Sequence, residues 1–88
     1  MIKKEYTILA AHGLHARPAT TLIKLVKSFK SAISLQKDDK DVRLNSILNI
    51  LSLALKGGDT VTITINGEDE AAAAEAMNHF FTQQLKDL

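Results

Sequence analysis

The sequence predicts an α+β domain in the order βαββαβα. Four mostly antiparallel strands would form one sheet, an open-faced sandwich with three helices on one face and water on the other. Three observations point there. The hydrophobic period switches repeatedly between two and about 3.6 residues, as strands and helices alternate. The periodic segments are short and separated by turns rich in glycine or charge. The 88 residues, 45% of them hydrophobic, suit a single domain, residues 1–88, with one modest core.

Residues 2 to 10 alternate, with Ile2, Tyr6 and Ile8 on one side and Lys3, Glu5 and Thr7 on the other. That pattern reads as a half-buried first strand. Ala11-His12-Gly13 makes the turn. From residue 16 to about residue 30, Ala19, Leu22, Ile23, Val26 and Phe29 recur three and four apart, with Lys24, Lys27 and Lys30 on the wet side. This is an amphipathic helix. Pro18, the single proline, falls in its first turn, where a missing N–H costs little.

Residues 32 to 36 alternate again, Ile33 and Leu35 inward, and Lys37-Asp38-Asp39-Lys40 forms a charged turn. Val42 and Leu44 mark the second arm of a hairpin. Ser46 then opens a short helix reaching about Leu55. A serine before an apolar helical run is an N-cap, contributing about 1 kcal/mol. Lys56-Gly57-Gly58-Asp59 stops that helix, with glycine at the usual C-terminal position. Residues 60 to 66 alternate cleanly through Val61, Ile63 and Ile65. Gly67-Glu68-Asp69-Glu70 enters the last helix, its acids suiting the helix dipole. Ala73, Ala76, Met77 and Phe80 form its apolar stripe.

Bulk chemistry narrows the function. The formal net charge is +1, which gives no reason to expect nucleic acid or an anionic membrane as partner. Tryptophan is absent and tyrosine occurs once, so base-stacking platforms are not expected. The absence of cysteine excludes disulfides and thiolate metal sites. No apolar segment follows Lys3 and Lys4, and the run from 47 to 55 is too short to span a bilayer. The expectation is a cytoplasmic protein without membrane insertion.

The chemistry concentrates in Gly13-Leu14-His15-Ala16-Arg17-Pro18-Ala19-Thr20. His15 stands directly ahead of a helix start, where unpaired N–H groups and the macrodipole favour negative charge. Alone it would be an ordinary turn histidine. Arg17, two residues on, supplies a fork for an anion, and Gly13 permits the tight turn before it. A neutral imidazole attacks phosphorus and forms a labile phosphoramidate. His12 and His15 also suggest a metal pair, but two histidines do not close a zinc site.

That octet resembles the active-site signature of the HPr family, the histidine phosphocarriers of the bacterial phosphoenolpyruvate:sugar phosphotransferase system. A second stretch, Asp39-Lys40-Asp41-Val42-Arg43-Leu44-Asn45-Ser46-Ile47-Leu48-Asn49-Ile50-Leu51-Ser52-Leu53-Ala54, is similar to the family's serine-site signature. The resemblance implies the same βαββαβα fold and a covalent carrier rather than a turnover enzyme. His15 would accept the phosphoryl group on Nδ1 from Enzyme I and pass it to Enzyme IIA domains. Arg17 and the N–H of Ala16 would stabilise the phosphoryl oxygens. Ser46 would be open to an ATP-dependent HPr kinase/phosphorylase, with a transcriptional regulator as further partner. Thr20, Lys24, Lys27, Ile47, Leu48 and Leu51 would form the docking face. The resemblance implies no cofactor, no metal and a monomer. The alternative it carries is a regulatory interaction module in carbon or nitrogen control, acting through Ser46 and the Ile47/Leu48/Leu51 surface. The chain departs from the family pattern at His12, where a small polar residue is common, and at Asn45, Leu48, Asn49 and Leu51.

Overall fold

Alternation of apolar and polar residues produces the sheet. The computed structural model describes all of Met1–Leu88. Its strands are β1 (Ile2–Thr7), β2 (Ala32–Lys37), β3 (Lys40–Arg43) and β4 (Thr60–Asn66). They pair in the order β1-β4-β2-β3, and every pairing is antiparallel. Tyr6 faces Val61 and Leu35 faces Ile63, so one register puts Tyr6, Ile33, Leu35, Val61, Ile63 and Ile65 on a buried face. Lys3, Glu5 and Thr7 occupy the opposite, exposed face. A one-residue slip would exchange the two faces, so the pattern itself fixes the register. Lys4 points to the helical side opposite Ile63 but stays exposed, because β1 is an edge strand. An inward charge of that kind discourages edge-to-edge pairing.

Three α-helices cover the buried face: α1 (Ala16–Lys27), α2 (Ile47–Leu51) and α3 (Glu70–His79). A π-helical turn (Phe80–Gln84) and a 3₁₀ turn (Leu85–Asp87) continue α3. Helix α1 buries Pro18, Ala19, Leu22, Ile23 and Val26. Its three large aliphatic side chains contribute about 1.5–3 kcal/mol each. Helix α3 buries Ala73, Ala74 and Met77, and Phe80, Phe81 and Leu85 follow from the turns. Phe81 stacks on Tyr6 at 5.0 Å and meets Phe80 edge-on at 5.1 Å. Burial raises the Tyr6 phenol above its ordinary value.

Several boundaries differ from the expectation. Strand β1 ends at Thr7, not residue 10. Ile8 leaves the ladder because its N–H donates to the Asp59 carbonyl and its own carbonyl accepts from Gly58. Helix α1 ends at Lys27, and half-buried Phe29 packs on the core from the following turn. Helix α2 is only five residues long. It unwinds into tighter turns, Leu53 N–H to Ile50 and Ala54 N–H to Leu51, and the chain reverses at Ala54 with φ 50°. That reversal lets the flanking Leu53 and Leu55 both bury, while Ala54 is exposed. Gly57 and Gly58 therefore do not stop the helix. They belong to the turn into β4, where the Asp59 carboxylate accepts from the Lys56 N–H at 2.8 Å and pairs with Lys37 at 3.0 Å.

Asp69 occupies the N-cap position of α3, but its side chain does not cap it. The carboxylate instead accepts the N–H groups of Lys30 and Ser31, at 2.8 and 2.9 Å, and the Ser31 hydroxyl. It pins the α1–β2 turn to the start of α3. Ala76 is half-buried rather than core, and Ala74 takes the buried position.

Candidate functional site

Gly13 sets up the site. Its φ of 71° is left-handed, and the Leu55 carbonyl oxygen stands where a Cβ would project. Only glycine fits both constraints. The Gly13 N–H donates to Ala10 at 3.0 Å and the Leu14 N–H to Leu55 at 3.3 Å. Leu14 is 2% exposed and anchors the loop in the core. These contacts hold the residue that follows against the end of α1.

His15 is that residue. It is the N-cap of α1, with φ −81° and ψ −169°, and its ring makes no capping hydrogen bond. The side chain is exposed. Its carbonyl accepts from the Ala19 N–H at 3.0 Å, which closes the first helical turn. Pro18 has no N–H, so the outward-facing backbone donors at this terminus are those of Ala16 and Arg17. The Arg17 side chain is exposed and joins no ion pair. An uncommitted imidazole, two backbone donors and a free guanidinium thus all belong to the N-cap and first turn of α1. Groups of these types at a helix N-terminus suit an anion, and the imidazole is chemically able to act as a nucleophile.

The remaining expected residues fall around this spot. The Thr20 hydroxyl donates to the Ala16 carbonyl at 2.8 Å, so its proton is committed within the helix. Arg17, Thr20, Lys24 and Lys27 recur three and four apart and make one stripe leading away from His15. Lys24 and Lys27 are exposed. Helix α2 packs beside α1. Leu48 is 76% exposed and Leu51 39%, whereas Ile47 is half-buried against the core and Ile50 is fully buried. Leu48 and Leu51 of this helix therefore lie on the surface, Ile50 in the core and Ile47 at the boundary. Ser46 sits at the N-cap of α2 in extended conformation, yet its hydroxyl makes no capping hydrogen bond. The expected cap is absent: Asn49 reaches back instead, donating to Arg43 at 3.4 Å and Asn45 at 3.2 Å.

His12 is exposed, and its ring lies edge-on to His15 with centroids 6.3 Å apart. No third histidine or carboxylate joins the pair to make a metal-binding group. A groove lined by Ile2, Lys4, Ala71, Ala74, Glu75 and Asn78 lies between β1 and α3, with no residue of the His15 segment in it. Sequence reasoning passed over Leu14 and the Leu55 carbonyl. Leu14 had a readable signal, since an apolar residue just before an N-cap commonly staples the helix start. The Leu55 contact has none, because it is made by backbone from a distant segment.

Comparison with known proteins decides the lineage. Residues 2–83 match the family described as the PTS HPr component phosphorylation site. The chain belongs to the HPr family. The phosphocarrier protein HPr of Lysinibacillus sphaericus is 39% identical over 83 residues, which cover 94% of both chains. The crystal structure of HPr from Thermoanaerobacter tengcongensis superposes with a TM-score of 0.91 at 33% identity, covering 97% of this chain and 96% of that one. The catabolite-repression protein Crh of Bacillus subtilis, solved as a domain-swapped dimer, aligns with a TM-score of 0.76 at 33% identity over 97% and 98% of the two chains. The open-faced α+β sandwich is thus the HPr architecture, and the HPr family is one of phosphocarriers. No helix of the chain is long and apolar enough to cross a membrane.

Proposed function

We propose that this chain is a cytoplasmic phosphoryl shuttle of 88 residues, a single HPr-like domain acting as a monomer. Nδ1 of His15 attacks the phosphorus carried by phospho-Enzyme I. The Nδ1–P bond forms as the donor's bond to phosphorus breaks, and the donor keeps the electron pair. Transfer to an Enzyme IIA domain repeats the exchange in the opposite sense. The observation that carries this reading is the exposed, uncapped His15 ring at the α1 terminus beside the free Arg17 side chain. The Ala16 and Arg17 N–H groups and the guanidinium face the charge that the phosphoryl oxygens bring. All these groups come from one chain, so one copy suffices. Incubation with Enzyme I and phosphoenolpyruvate gives an acid-labile adduct in the native protein and none in His15→Ala. Equal labelling of the variant would defeat the reading.

A second reading has its own observation: the Ser46 hydroxyl is uncommitted, and Leu48 and Leu51 lie exposed on the helix it precedes. In that reading the chain also works as a regulatory module, with HPr kinase/phosphorylase and a transcriptional regulator as partners. An acid-stable phosphate that appears with that kinase and ATP, and disappears in Ser46→Ala, supports it.

A further inference from the structure

His12 is the one polar residue of the loop that the carrier chemistry leaves without a task. Its place is fixed by backbone. Gly13 and Leu14 are tied to Ala10 and Leu55, and Leu14 is buried, so the His12 and His15 α-carbons cannot drift apart. The rings lie edge-on at 6.3 Å, and neither enters an ion pair or an aromatic stack with the core. A phosphoryl group bonded to His15 projects its oxygens beyond the ring that carries it. A charge-assisted N–H···O bond of about 2.7–2.9 Å then comes within reach of His12 by rotation of exposed side chains.

The charged surroundings are one-sided. The turn that carries His12 lies on the segment before β4, Gly13 against Leu55 and Lys56, and Ala10 and Ala11 against Gly57, and it leads into the start of α1 with His15 and Arg17; Asp59 follows Gly58 in that segment. Asp59 is already engaged by the Lys56 N–H and the Lys37 ammonium. Without the phosphoryl group, no uncommitted carboxylate in these segments can hold an imidazolium. With it, about two negative charges arrive beside the ring near neutral pH.

We infer, on the reading that His15 carries the phosphoryl group, that His12 is a positioning residue for it: the ring takes up a proton as the group arrives and donates an N–H to one of its oxygens. His12 makes and breaks no bond to phosphorus. It gains one proton on loading and returns it on transfer. Because proton and phosphoryl group bind cooperatively, each favours the other by the same factor. The sign follows: the loaded carrier is favoured as pH falls through the imidazole range, and unloading is favoured as pH rises through it.

The test follows the ring proton directly. The His12 ring is titrated by nitrogen-15 NMR before and after His15 is phosphorylated with phosphoramidate, a small-molecule donor that needs no protein partner. The His12 midpoint rises on phosphorylation. In parallel, the lifetime of phospho-His15 is measured in the native protein and in His12→Gln. The ratio of the two lifetimes changes between about pH 6 and pH 8.5, the range in which imidazole titrates. A merely structural role would shift the ratio equally at every pH. An unmoved midpoint, or a lifetime ratio independent of pH, would overturn the inference. Failure of Enzyme I to label His15 would remove the carrier reading instead, and the titration on chemically phosphorylated protein is read independently of it.

Discussion

Arg17 and Gly13 act on the same histidine by different means. In the proposed function Arg17 contributes through charge, and its side chain holds no fold contact by ion pair. Arg17→Ala therefore leaves the urea midpoint within error but slows transfer from phospho-Enzyme I about tenfold to a hundredfold, the cost of one charge-assisted hydrogen bond. Rapid-quench kinetics measure it. Gly13 contributes through backbone shape. Gly13→Ala meets the Leu55 carbonyl and a left-handed φ together, whereas Gly58→Ala meets only a φ of 91° with open space around it. Gly58→Ala costs about 1–2 kcal/mol, and Gly13→Ala costs more, because Leu55 must also move. Urea denaturation of both variants checks the order. The placement of His15 at the N-cap and Arg17 in the first turn of α1 was legible in the sequence, because both are local properties. The grip of Leu55 on Gly13 was not, because it joins residues that only the tertiary fold brings together.

At the scale of elements, helix α2 divides sharply. Ile50 is fully buried and Leu48 is 76% exposed, two residues apart on the same short helix. Ile50→Ala costs about 2–5 kcal/mol by leaving a cavity. Leu48→Ala changes stability by less than about 0.5 kcal/mol, yet weakens transfer to and from protein partners. Thermal unfolding and transfer assays separate the two. The extent of α2 was the least legible feature. Gly57 and Gly58 look like a helix stop, but the reversal falls on Ala54, which has no intrinsic preference for it. It is imposed by the burial of Leu53 and Leu55 on either side. Strand β4 was fully legible, because a central strand with one wet face shows unbroken alternation. Asp69 was readable as a helix-entry acid, but not as the pin of the α1–β2 turn. The Ser31 hydroxyl, with the Lys30 N–H, holds its carboxyl below the usual carboxylate range. A depressed folded value means stabilisation that is present above the unfolded value near pH 4 and is lost as pH falls through the folded one. The stability difference between native protein and Asp69→Asn therefore shrinks on acidification below about pH 4. Urea midpoints taken across that range give the sign.

The whole molecule divides its labour between two surfaces. The sheet, with β4 at its centre, and the aromatic cluster of Tyr6, Phe80 and Phe81 hold the chain together. In the proposed function, the loop before α1 and the exposed Leu48 and Leu51 of α2 are what meets other proteins. The proposed carrier role needs a rigid base and an unshielded acceptor: Leu14, directly before His15, is buried in the core, while the His15 side chain is exposed. Overall topology was legible because the period changes at each element. Which apolar residues of α2 are exposed was only half legible, since an apolar residue on a short helix does not announce which side it faces. The central claim is that this exposed ring is where the phosphoryl group sits. Nitrogen-15 NMR of the histidine rings, recorded before and after incubation with Enzyme I and phosphoenolpyruvate, tests it most directly. The account predicts a phosphorus coupling on Nδ1 of His15 alone. A coupling on His12 or His79, or an adduct on a hydroxyl with all three rings unchanged, would contradict it.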